Sequence, residues 1–128
     1  MPIINRAGGT MGIREELQTV LSLQADYDSA MTDAMRERGD IIRNPLPSLL
    51  SGFASSMQSA AGTVPADFMS EGRDGTGLRS QVPWVRFASR NRSPKATVGW
   101  YVVLLFREDG SGMYLALSHA STRSVGGE

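Results

Sequence analysis

A chain of 128 residues with 41% hydrophobic and 20% charged content and no cysteine has the size of one domain around one core. It can carry no disulfide framework and no thiolate metal centre, which makes the cytoplasm the default compartment. The net charge is zero, but residues 73–95 hold six basic side chains against one acidic, a local +5, whereas residues 1–72 hold five basic and nine acidic. A zero total argues against indiscriminate polyanion binding, while a concentrated patch suits a phosphate backbone gripped at one place. From charge alone, a well-solvated arginine-rich surface is an equal reading.

Residues 1–11 read as a loose leader without the long apolar core of a signal peptide, and residues 12–128 as a single domain. Ile13, Leu17, Val20, Leu21 and Gln24 follow the 3, 4, 7 spacing of an amphipathic helix over about 12–26, with Thr10 available as its cap and Glu15 and Glu16 in the first turn. Thr32 and Asp33 start a second helix that Gly39 is expected to interrupt before it resumes through Ile42. Pro45 and Pro47 open a third, in which Leu46, Leu49, Leu50, Phe53 and Met57 repeat at helical spacing to about Ala60. The apolar stripes on these helices read as core.

From Gly62 the pattern changes to short apolar segments between Gly, Asp, Ser and Pro. Strands are expected at Phe68–Glu71, Val82–Ser89, Trp100–Arg107 and Met113–His119. Glu108 to Gly112 is a turn signal, so the last two strands should form an antiparallel hairpin. Trp100 to Phe106 is the longest apolar run, of strand length and far short of a membrane span; apolar on both faces, it should be central. The alternation of Met113, Leu115 and Leu117 is expected to put one face of the last strand on the core. Helices first and sheet second indicate an α+β fold, with N-terminal helices packed on a mainly antiparallel, twisted β-sheet.

Little in the chain suggests catalysis. His119 is the single histidine, without a second histidine or a cysteine to make a zinc site or a nucleophile pair. The carboxylates Glu15, Glu16, Asp26, Asp28 and Asp33 have the spacing of solvated helix surface. Gly75-Thr76-Gly77 lacks the third glycine of a dinucleotide fingerprint and leads to Pro83 instead of a helix, so a turn is the better reading. No metal, cofactor or catalytic residue is expected. What remains is Arg73, Arg79, Arg86, Arg90, Arg92 and Lys95 interleaved with Trp84, Phe87, Trp100 and Tyr101. Arginine is shaped for phosphate forks and guanine edges, and aromatic faces hold an unstacked base; large aromatics in strands are also commonly core. The loop Ser89 to Thr97 is expected to project beyond the sheet, where a duplex could be gripped.

The order Gly72-Arg73-Asp74-Gly75-Thr76-Gly77, Val82-Pro83-Trp84-Val85-Arg86-Phe87, Arg90-Asn91-Arg92-Ser93-Pro94 and Gly99-Trp100-Tyr101-Val102-Val103-Leu104-Leu105-Phe106 strongly resembles the N-terminal domain of McrB-type restriction proteins. The resemblance extends to the helical lead-in and spans nearly the whole chain. It implies a non-catalytic reader of 5-methylcytosine or a related modified cytosine in double-stranded DNA, which rotates the base into an aromatic-lined pocket. Nuclease or NTPase activity, of HNH or AAA+ type, is implied to lie in other domains. Carried over, Trp84 and Tyr101 are pocket walls, Leu105 lies on the face of Tyr101, and Thr76 stands where the best-characterised relative has an aromatic. Arg73, Arg79, Arg86, Arg90, Arg92 and Lys95 are the expected backbone contacts. The family's domain continues several tens of residues past the point reached at Glu128, so the chain is expected to lack its C-terminal part. An assembly module of a defence nuclease, with the arginines meeting protein acids, is the alternative.

Overall fold

The computed structural model describes residues 3–4, 10–53, 56, 59–60, 62 and 67–120. Two short strands, β1 (Ile3–Ile4) and β2 (Thr10–Met11), pair antiparallel ahead of three helices, α1 (Ile13–Gln24), α2 (Asp33–Arg43) and α3 (Pro45–Ser51). Four strands follow, β3 (Phe68–Arg73), β4 (Trp84–Ser89), β5 (Trp100–Phe106) and β6 (Met113–His119), in an antiparallel sheet of order β3-β4-β5-β6. The fold is α+β, with the helices packed on one face of this sheet.

Helix α1 begins at Gly12 instead of Thr10, with the Glu15 carboxylate accepting from the Gly12 N–H at 3.1 Å. Helix α2 begins as expected at Thr32, whose hydroxyl accepts from the Met35 N–H at 3.2 Å. It is not interrupted at Gly39, which is buried, and a methyl group there would collide with the Asp74 carboxylate and the Arg43 guanidinium. That glycine permits close packing instead of ending the helix. Beyond Phe53, most of the expected third helix, Met57 included, lies outside the described residues.

Val85, Leu104 and Phe106 of the sheet close a core with Val20, Ile41, Ile42, Leu46 and Leu50 of the helices. Each such side chain, fully enclosed, contributes roughly 1.5–3 kcal/mol through removal from water. Gly72 brings β3 directly against α2, because a Cβ there would strike the Ile42 carbonyl. Strand β5 lies between β4 and β6, as its two apolar faces imply. The hairpin turn forms as expected, with Gly110 at φ +74 and the Arg107 N–H donating to the Gly112 carbonyl at 2.9 Å.

One expectation fails on β6. Leu115 and Leu117 share the helix-side face with Leu104, yet they are 67% and 69% exposed. The helices pack mainly on β3 and β4, reach Leu104 and Phe106 of β5, and leave most of this edge strand uncovered. Within β6, only Met113, at its near end, packs against the core.

Candidate functional site

The register fixes what shares the face away from the helices. Arg73 stands opposite Trp84, Trp84 opposite Leu105, and Leu105 opposite Tyr114, forming one row across all four strands. Glu71, Arg86, Val103 and Ala116 form the next row. Tyr101 lies one row further, with Ser118 opposite. Trp84, Leu105 and Tyr101 are each half-buried, so they are anchored in the sheet and still present surface. Trp84 and Leu105 are direct neighbours, whereas Tyr101 is four residues along β5 from Leu105, roughly 13 Å away. Thr76 is exposed in the loop between β3 and β4, at the Trp84 end of the sheet.

A cleft of about 410 Å³ opens at that same end, lined by Val82, Leu105, Phe106, Arg107, Asp109 and Tyr114, among others; its size is in the range of small-ligand sites. Arg107 donates to the Tyr114 hydroxyl at 2.8 Å and pairs with Asp109 at 3.4 Å. Two hydrogen bonds from Ser111, hydroxyl then backbone N–H, with the Arg107 guanidinium, hold the Asp109 carboxyl down to about 2. Tyr114 and Arg107 are absent from the residues singled out by sequence. Hairpin register was the available signal, since a turn at 108–112 puts Tyr114 opposite Leu105.

The six cations divide sharply. Arg86 is wholly enclosed: its Nε meets Glu71 at 2.7 Å and its Nη1 donates to the Ser93 hydroxyl at 2.8 Å and the Ser93 carbonyl at 3.1 Å. Its guanidinium lies 5.3 Å from the centre of the Tyr101 ring, a cation–π contact for a group whose Nη2 has no hydrogen-bond acceptor among the described residues. In this arrangement Arg86 is therefore not free to meet a phosphate, a correction to the sequence expectation: it lies on the face away from the helices but is covered there by Ser93 of the loop and paired with Glu71. Arg79 is likewise occupied, with Nη1 on Asp74 at 3.1 Å and Nη2 on the Gly77 carbonyl at 2.9 Å, its side chain 8% exposed. Arg73 is exposed at the end of β3 and pairs with Glu71 at 3.2 Å. Arg90, Arg92 and Lys95 are exposed.

Their loop does not project as expected but folds back over the sheet, with Ser93 buried upon Arg86. Asp67 fastens its root: the carboxylate accepts from the Asn91 N–H at 2.6 Å and from the Ser89 hydroxyl at 2.8 Å. These contacts, the backbone one foremost, depress the Asp67 pKa. At the other end, Gly99 at φ +73 passes so close to the Arg92 carbonyl that a side chain would not fit.

The loop between β3 and β4 is held from beneath by a polar web. Arg38, fully buried in α2, donates to Gln24 and to the Ser80 carbonyl, both at 2.7 Å. Burial pulls its pKa below the ordinary value, against the opposing pull of Asp74. Asp74 also accepts from Arg43. The glycine turn is therefore a fixed element, built as a turn and not as a nucleotide-binding helix entry.

A sequence model of the family described as "MrcB-like, N-terminal domain" matches residues 22–125. The chain belongs to the MrcB-like N-terminal domain family. Neither a curated protein nor a solved structure matches it. Nearly all the face just described lies within the match, including every cation and aromatic named. Among the described residues of this MrcB-like domain, no cluster of three His, Cys, Asp or Glu side chains could hold a metal ion, and no helix is long and apolar enough to cross a membrane.

Proposed function

We propose that this MrcB-like domain binds double-stranded DNA through the sheet face opposite the helices and reads a modified cytosine, of the 5-methylcytosine type, rotated out of the helix. The observation that carries the reading is the adjacency of Trp84 and Leu105 on an otherwise well-filled face, flanked by exposed Arg73 at one end and by Arg90, Arg92 and Lys95 on the folded-back loop. An extruded base loses its stacking, and a neighbouring aromatic face restores part of it. The exposed cations supply phosphate contacts, which set affinity and salt dependence without reading sequence. Trp84, Leu105, Tyr101 and Thr76 are the proposed base contacts; Thr76 offers an exposed hydroxyl at the Trp84 end of the face.

The domain acts in this reading as a cytoplasmic recognition module of a restriction system. Hydrolysis, whether by an HNH nuclease or an AAA+ NTPase, belongs to a different domain or partner. Fluorescence anisotropy with 5-methylcytosine, 5-hydroxymethylcytosine and plain duplexes at low salt tests it, and equal or absent binding of all three overturns it. Trp84→Ala separates recognition from folding when melts accompany the titrations: a recognition role predicts lost modification preference with a retained cooperative melt.

The exposed apolar strip of Trp100, Leu115 and Leu117 on the other face favours a protein contact in addition, since such patches commonly mark interfaces. Leu117→Lys should weaken self- or partner association in sedimentation while leaving DNA binding unchanged; weakened DNA binding instead would argue that this face touches the duplex.

A further inference from the structure

Leu78, in the loop between β3 and β4, is 70% exposed, the highest value among the large hydrophobic residues described. A lone surface leucine needs no explanation, but the backbone that carries this one is unusual. Gly75 and Gly77 precede it at φ +118 and +76. Immediately after it, the Arg79 N–H donates to the Ser29 carbonyl and the Ser80 N–H to the Asp74 carbonyl, both at 2.8 Å. The Arg79 carbonyl accepts from the Tyr27 hydroxyl at 2.9 Å, and the Ser80 carbonyl from Arg38 at 2.7 Å. A segment fastened at so many points to the helical layer holds its apolar tip outward at a fixed place. The tip, Gly75-Thr76-Gly77-Leu78, is uncharged, and the nearest cation in sequence, Arg79, is turned inward on Asp74. Such a tip has no charged group with which to grip phosphate; it is suited to meet bases. Through the Arg73–Trp84 pairing it also sits at the end of the sheet where Trp84 and Leu105 adjoin.

We propose that Leu78 is a wedge, entering the base stack at the step that the modified cytosine leaves. The proposal rests on the base-extrusion reading above. Apolar side chains on minor-groove and kinking proteins are inserted between base steps in this way, covering ring surface that unstacking exposes. A flexible loop would forfeit that gain in ordering entropy, and the Arg38, Tyr27 and Asp74 anchors remove this cost in advance.

The test compares Leu78→Ala with the unaltered domain on two duplexes: 5-methylcytosine paired with guanine, and 5-methylcytosine opposite an abasic site, where no pair has to be broken. Leu78→Ala should melt like the parent, bind the paired duplex roughly tenfold more weakly, as expected for removing most of one buried leucine, and regain most of that affinity on the abasic duplex. Leu78→Phe should keep paired-duplex affinity. Equal losses on both duplexes would mean an ordinary surface contact, and no loss on either would mean no role; both overturn the wedge while leaving modified-base reading intact. Failure of the parent domain to prefer methylated over plain duplex overturns the underlying reading and the wedge with it.

Discussion

Glu71 and Arg86 face one another across β3 and β4 as a registered pair, joined at 2.7 Å with the arginine completely enclosed. The pair holds a cation beneath the proposed reading face and simultaneously fastens the arginine loop through Ser93. Removing only Glu71 leaves that charge buried without its partner. Glu71→Ala should therefore cost about 3–5 kcal/mol in urea denaturation, whereas Arg86→Met, which removes the charge and fills the space, should cost far less. A larger destabilisation by Arg86→Met than by Glu71→Ala would refute this account of the pair.

The loop cations should behave differently from it. Arg90→Gln, Arg92→Gln and Lys95→Gln remove exposed charge, so unfolding should change by no more than about 0.5 kcal/mol each. Binding should weaken for modified and plain duplexes alike, and each substitution that frees one phosphate should reduce the slope of log affinity against log salt by roughly 0.9. Titrations at several salt concentrations check this, and an effect confined to the modified duplex would move these residues from grip to recognition.

Two carboxyls titrate below their ordinary 3.8, Asp67 through the Asn91 N–H and the Ser89 hydroxyl, and Asp109, down to about 2, through Ser111 and Arg107. A depressed folded-state value means stability that is present above the unfolded value near 3.8 and disappears as pH falls through the folded value. The acid limb of a stability profile should accordingly contain contributions between pH 3.8 and about 2. Asp109→Asn should flatten that part of the limb, and Asp67→Ala should also loosen the 89–92 backbone, read as faster amide exchange at Asn91.

Gly72→Ala should be among the most damaging small substitutions. A methyl group at this position meets the Ile42 carbonyl of α2, and overpacking of this kind costs roughly 1–3 kcal/mol or more. Calorimetric melts should show it. By contrast Leu117→Ser, at 69% exposure, should change stability by no more than about 0.5 kcal/mol.

The element pattern was readable because it depends on local periodicity and turn chemistry: the β6 boundaries, the Thr32 cap and the turn at 108–112 all follow from residues close in sequence. Partnerships between distant segments were not. Gly39 looks like a helix stop until Asp74 is seen lying against it, and Arg86 looks like one more cation until Glu71 and Ser93 are found around it. The alternation of Leu115 and Leu117 identifies the right face of β6, yet says nothing of how far the helices reach across it. For the candidate site, the spacing of Tyr101 and Leu105 gives a shared face, while the adjacency of Trp84 to Leu105 needs the register between β4 and β5.

The side-chain amide of Gln24 closes α1 onto two carbonyls, those of Gln81 and Arg107, which lie 57 and 83 residues further along the chain. During synthesis, then, the first helix is complete long before either acceptor exists. Arg38, whose own acceptors are Gln24 and Ser80, waits with it. The bond to Arg107 cannot form until β5 has been made, and contacts of such long range slow folding. Until the strands that cover them exist, the helices' apolar stripes face solvent, and the nascent chain is most vulnerable to aggregation over that interval.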